Sequence, residues 1–280
     1  MNKQTFKPLT KSSNEAQQRL NYAVPAHLLQ PMWLRGQESL VDDGLIYDPI
    51  AANACRNCIL SDECLAGDIN QKQLLHATIT KICDERVQMF LEKNPNAWVL
   101  NIGAGLDTRF YRLDNGICHW IEIDVSENLL WREKLFHSSG RYKLICGSVD
   151  DVDWIDSLSI PSNVPVLIVC EHALLPSPER KVRQFIQSVS LRFNSCHACL
   201  VVAGDKSSST LGLRLGSQHY LHGLAKPAET LRQWLPWCKY IKLFSPLDDN
   251  CGRWKLWQRA LAVFPSIRNR LTPVLIELSW

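Results

Sequence analysis

Three kinds of residue near the middle of this 280-residue chain could do chemistry together. The first is a pair of glycines, Gly103 and Gly105, separated by Ala104, in "VLNIGAGLDTRFYRLD" (99–114). The second is a set of carboxylates: Glu122 and Asp124 in "WIEID", and Glu171 in "PVLIVCEHALLP". The third is His172, beside Glu171. A Gly-x-Gly turn directly after an apolar strand lets backbone pass close to a ligand. It also leaves the first N–H groups of the next helix facing that ligand. A carboxylate about 20 residues further on, at the tip of a second strand, suits the two hydroxyls of a ribose. Asp124 stands at that spacing.

Glycines and acid together point to an adenosine-type cofactor. A dinucleotide requires a third glycine, so that the helix can approach a pyrophosphate. Thr108 occupies that position, and Asp107 in the turn would repel the phosphates. A nicotinamide oxidoreductase is therefore disfavoured, and the phosphate-free S-adenosylmethionine fits.

The elements needed to position these residues can be read from the pattern. Short β-branched runs at 97–103, 118–124, 142–147, 165–171 and 198–204 are bounded by Gly, Pro or Asn, as buried strands are. Helical periodicity lies between them. Residues 80–94 place Ile82, Val87, Phe90 and Leu91 on one face. Residues 177–193 do the same with Val182, Phe185, Ile186 and Val189, with Ser177 as N-cap and Pro178 in the first turn. This alternation predicts an α/β protein with a mostly parallel sheet covered on both faces. Runs at 240–244 and 273–280 would complete the sheet at one edge. Residues 1–75 predict a helical N-terminal lid, 76–280 the α/β domain, and 207–231 a lid insertion; both lids would cover the carboxyl ends of the strands.

The stretch 99–134 resembles the leucine carboxyl methyltransferase family, a group of class I S-adenosylmethionine-dependent O-methyltransferases with members acting on polyketide-type small molecules. It carries that family's Gly-Ala-Gly-x-Asp-Thr-Arg-x-x-Arg-Leu, then Glu-x-Asp and a basic residue some eight positions on. "YDPIA" (47–51), "SVDDVDW" (148–154) and "CEHALLPSPE" (170–179) resemble further family segments. The resemblance implies a Rossmann-like methyltransferase sheet with an antiparallel edge strand. It implies that Gly103, Ala104 and Gly105 line the methionine part and ribose, that Glu122 and Asp124 lie at the ribose, and that Ser148 and Val149 lie at the adenine. Glu171 would meet the α-amino group. Asp107, Thr108, Arg109 and Arg112 are signature residues read as mainly architectural. The reaction implied is methyl transfer to the carboxylate of a small molecule or peptide.

Four departures stand out. Ile79 replaces an arginine that pairs with the cofactor carboxylate; Lys81, Lys11 or Arg19 could take its place. A charged hydrogen bond of this kind contributes about 1.5–3 kcal/mol. Ser148-Val149 replaces Asp-Leu, His172 replaces a glycine and Pro176 a tyrosine. His172 would orient a substrate or act as a base. The departures leave a second reading, a methyltransferase-fold protein that binds cofactor or a partner without turnover. Trp33 and Tyr220 suggest an apolar or mixed substrate pocket.

Composition narrows the classes. A net charge of +3 without a Lys/Arg stripe argues against a nucleic-acid partner. The first twenty residues lack a signal-peptide core, and no apolar run has membrane-span length, so a cytoplasmic location is expected. Eleven cysteines read as reduced small hydrophobes. Cys55, Cys58 and Cys64, with His76 further on, could begin a metal or redox site, but the second pair that would close it is missing, and no metal is expected.

Overall fold

The computed structural model describes residues 24–56, 60–193, 195–248 and 252–280. Among them a seven-stranded sheet runs in the order β3-β2-β1-β4-β5-β7-β6. The strands are β1 Trp98–Ile102, β2 His119–Asp124, β3 Tyr142–Cys146, β4 Val166–Cys170, β5 Cys196–Val202, β6 Tyr240–Phe244 and β7 Val274–Ser279. All the neighbouring pairs from β3 to β5 are parallel. The antiparallel strand is β7, wedged between β5 and β6 and one place in from the edge. β1 and β4 are buried along their whole length, which is why they read as unbroken apolar runs.

Apolar layers cover both faces. One packs Val182, Phe185, Ile186 and Val189, of the helix Glu179–Arg192, against Leu100, Ile121 and Ile168. Burying such a side chain contributes about 1.5–3 kcal/mol. The other packs Ile82, Val87, Phe90 and Leu91, of the helix Ile69–Lys93, against Val99, Trp120 and Leu167. That helix begins well before position 80 and runs unbroken through residue 75; Asp68 caps it by accepting from the Gln71 N–H at 3.1 Å. The cap expected at Ser177 is not formed. Pro178 is the N-cap, without a side-chain bond, and its ring leaves no N–H there to satisfy.

The order of strands reverses between β1 and β4, and their carboxyl ends open a crevice there. The helix Ala26–Glu38 closes one side of it. From the segment 207–231, Gly216, Gln218, His219 and Tyr220 line a neighbouring cavity, and the segment is pinned by His222, whose Nε2 accepts from the Ala203 N–H at 3.1 Å while Nδ1 lies 2.9 Å from the Ser177 carbonyl. No helix among the described residues is long and apolar enough to cross a membrane.

Candidate functional site

The turn after β1 is shaped by two glycines in the left-handed region, Gly103 at φ 65° and Gly105 at φ 48°. A Cβ on Gly103 would also sit 2.2 Å from the Ala173 Cβ, so only glycine lets this turn pack against the loop after β4. At the tip of β2, Asp124 draws the turn in. Its Oδ2 accepts from the Gly105 N–H at 2.6 Å, and its Oδ1 accepts from the Val125 N–H and the Asn128 side-chain amide, each at 2.8 Å.

Glu122 points to the same side of β2 as Asp124, two residues earlier, but lies deeper and is fully buried. It accepts from Arg132 at 2.5 Å and from Asn101, its register partner on β1, at 2.8 Å. Arg132 then donates to the Gly105 and Asp107 carbonyls at 2.8 Å. Burial pushes the Glu122 carboxyl up to about 7 against the pull of Arg132. Glu122 therefore supports the turn from beneath and does not line the cavity. Lys81 does not line it either; its ammonium lies 3.5 Å from Glu85.

A buried charge network closes the crevice floor. Arg109 donates to Asp84 and Asp107, each at 2.6 Å, and to Glu171. Arg112 bonds Asp84, and Asp48 joins Arg35 at 3.1 Å, Arg112 at 3.2 Å and Thr108 at 2.5 Å. Asp48 also caps the helix Pro49–Ala54, accepting from the Ala51 N–H at 3.0 Å. The signature residues are thus structural ties, yet Arg109 and Asp107 line the crevice as well. Burial opposes ionisation of Asp107 and Glu171, but the neighbouring groups together outweigh it, Arg109 foremost, with Arg112 and Arg35 beside Asp107 and His172 and His76 beside Glu171, and hold both well below the usual carboxylate range.

Two cavities meet here. The first, about 420 Å³, is lined by Gly103, Ala104, Gly105, Asp124, Ser148, Val149, Glu171 and His172 among others. Eight of the predicted site residues are therefore together. Lining residues that escaped the sequence analysis include His27, Arg35 and Asn128. They sit on helices with no ligand motif, so no local signal marks them. The second cavity, about 250 Å³, is lined by His76, Ile79, Gln218 and Tyr220. His27, Pro31, His172 and Pro176 border both. Ile79 thus faces the second cavity, while Arg35 and Arg109 are cations of the first. Trp33 packs instead against a small apolar cluster that includes Cys55 and Cys64. His76 lies away from those cysteines, stacked on His172 with ring centroids 4.9 Å apart. Burial and the nearby His172 keep its imidazole well below its ordinary value. Cys58, Lys11 and Arg19 lie outside the described residues.

Comparison with known proteins bears on the family and the fold. Residues 29–143 match the family model for leucine carboxyl methyltransferase. The chain is similar to the tetracenomycin polyketide synthesis O-methyltransferase TcmP of Streptomyces glaucescens, 37% identical over 89 residues, which is 31% of this chain and 32% of that protein. It is also similar to the S-adenosyl-L-methionine-dependent methyltransferase dpfgK of Gibberella zeae, 29% identical over 105 residues, 35% of each chain. The matches thus span about a third of the length of these curated relatives. A solved structure assigned as a methyltransferase, from Thermobifida fusca, shares the fold with a TM-score of 0.55 at 10% identity, covering 82% of this chain and 86% of that one.

Proposed function

We propose, from the premise that residues 29–143 belong to the leucine carboxyl methyltransferase family and the sheet to the class I methyltransferase fold, that this protein is an S-adenosylmethionine-dependent O-methyltransferase. The observation that carries the reading is the first cavity, where a glycine turn and a strand-tip carboxylate converge in a volume of about 420 Å³, within the usual range for a cofactor site.

Asp124 takes the ribose hydroxyls and Gly103 to Gly105 lie along the methionine part. Ser148 and Val149 flank the adenine. Glu171 receives the ammonium group. Arg35, which gives N–H bonds to Asp48 and to the Leu106 carbonyl, has further donors for the carboxylate and replaces the arginine missing at Ile79. When bound, the donor supplies a methyl group activated on sulfur. The protein's part is to align an acceptor oxygen with it and to exclude water. The second cavity holds the acceptor, because it opens onto the first at His172. A carboxylate is already ionised near pH 7 and needs no base, so His172 orients it. The product is a methyl ester. The described residues of 24–75, with 207–231, act as the lid over a catalytic domain formed by 76–280; residues 1–23 of the expected lid lie outside the described residues.

Calorimetry with S-adenosylhomocysteine and a mass-spectrometric screen for methyl gain on small-molecule and peptide acids test the reading. Asp124→Ala should weaken donor binding by at least about 100-fold, the loss of two charge-assisted hydrogen bonds. Equal binding by wild type and variant would overturn the site, and absence of donor binding to wild type would overturn the function.

A further inference from the structure

We infer that His76, Glu171 and His172 form a binding site for one divalent transition-metal ion where the two cavities meet. One nitrogen of each imidazole and one Glu171 oxygen lie within 4.8 Å of one another, the one such group among the described residues. The Glu171 Oε1 and His172 Nε2 are 3.2 Å apart. Ligands at zinc distances of about 2.0–2.2 Å in a tetrahedral arrangement stand about 3.3 Å from each other. That pair is already at coordination spacing, and His76 must close by about 1.5 Å to join it.

The Nε2 atom of each imidazole lacks a hydrogen-bond partner, although His172 Nε2 lies beside the Glu171 carboxylate. His76 is 8% exposed, and its Nε2 has no hydrogen-bond partner. His172 Nε2 is also without one, because its contact with Glu171 lacks hydrogen-bond geometry. Unpartnered buried polar atoms are costly and call for an explanation. The two rings are nearly parallel, 10° between planes with centroids 4.9 Å apart, and both line the second cavity; because imidazole lone pairs lie in the ring plane, one ring must rotate for both nitrogens to converge on one ion.

The surroundings suit a cation. His76 and Thr80 are four residues apart on one face of the helix Ile69–Lys93, and Thr80 Oγ1 donates to Glu171 Oε1 at 2.5 Å. Arg109 holds the other oxygen. Such outer hydrogen bonds orient a ligating carboxylate. The network joins four carboxylates, Asp48, Asp84, Asp107 and Glu171, with three guanidiniums, Arg35, Arg109 and Arg112, and leaves one negative charge over. A carboxylate has about four lone-pair positions, so the ion and a donor ammonium can share Glu171. Two imidazoles and one carboxylate suit zinc, cobalt, nickel or copper better than magnesium or calcium. Three protein ligands leave an open position. Because His76 and His172 line the second cavity, that position would take an oxygen of whatever molecule occupies it.

The inference rests on this geometry and not on the methyltransferase reading. The test is a cobalt(II) titration of the chelator-stripped full chain, followed by visible absorption. The expected result is one tightly held ion per chain, with d–d bands and no intense thiolate charge-transfer band. His76→Phe and His172→Phe should each weaken binding at least tenfold, and His76→Gln, which keeps a polar side chain, serves if the first variant does not fold by circular dichroism. A missing spectrum, a thiolate spectrum, or unchanged affinity in the variants would overturn the site. S-adenosylhomocysteine calorimetry on the same wild-type sample reads the first cavity separately, so a failure there leaves the cobalt result standing.

Discussion

The two cavities that meet at His172 are built from different materials. The first is made of strand tips and the turns that follow them: Gly103 to Gly105 after β1, Asp124 at the end of β2, Ser148 after β3 and Glu171 after β4. Its shape is set by backbone hydrogen bonds and by a buried ion network. The second is made of side chains from the helix Ile69–Lys93 and from the segment 207–231, such as His76, Ile79, Gln218 and Tyr220. A cavity of the first kind changes its ligand only if the sheet changes. One of the second kind can change with single surface-lining substitutions, which is how one fold serves many acceptors.

Four measurements would break or sharpen that contrast. Arg109→Met should have the largest effect, since it leaves buried Glu171 with no guanidinium partner and Asp84 and Asp107 with Arg112 alone. A loss of about 3–5 kcal/mol is expected in urea unfolding; a loss below about 1 kcal/mol would show that the first cavity does not depend on its ion network. Next comes a pH effect beneath the glycine turn. The folded Glu122 carboxyl lies at about 7 and its unfolded value near 4.5, so the folded chain keeps a proton that the unfolded chain releases. Its stabilisation is full below about pH 4.5 and is lost as pH rises through about 7. Relative to Glu122→Gln, wild-type stability should fall by about 3 kcal/mol across that window; parallel pH profiles would show instead that the pair with Arg132 stays ionised throughout.

Tyr220→Ala should raise the acceptor KM roughly three- to tenfold through lost packing contact, with donor affinity unchanged. A parallel loss of donor affinity would mean that the cavities are not separate. The smallest effect is expected from Ser148→Ala. The Ser148 Oγ already accepts from the Asp150 and Asp151 N–H groups, at 2.9 and 3.1 Å, so it mainly closes its own loop. Donor affinity should change no more than about threefold, within the range of one neutral hydrogen bond; a larger change would make Ser148 a direct adenine contact.

The contrast also explains what could be read in advance. The strands were legible because fully buried parallel strands are apolar throughout, and the first cavity because its residues follow those strands at motif spacing. The start of the helix Ile69–Lys93 was not, because Gln71, Gln73 and His76 blur its apolar periodicity. Lys81 looked available as a cation near the cofactor, but the cations at the crevice are Arg35 and Arg109. Arg35 belongs to a helix whose position depends on Asp48, Thr108 and Arg112 converging from distant parts of the chain. His76 invited comparison with nearby cysteines, whereas its partner is His172, across the crevice.

Sequence alone determined the order of elements, the sheet class and the glycine-acid pair, because those depend on local periodicity and on backbone conformations that few residues can adopt. Tertiary structure decided which carboxylate lines the crevice and which lies beneath it, and which histidines meet. Glu122 and Asp124 are two residues apart on one strand face, yet one is enclosed with Arg132 and the other receives the turn. Depth and long-range pairing arise only when separate elements pack, and no spacing along the chain encodes them.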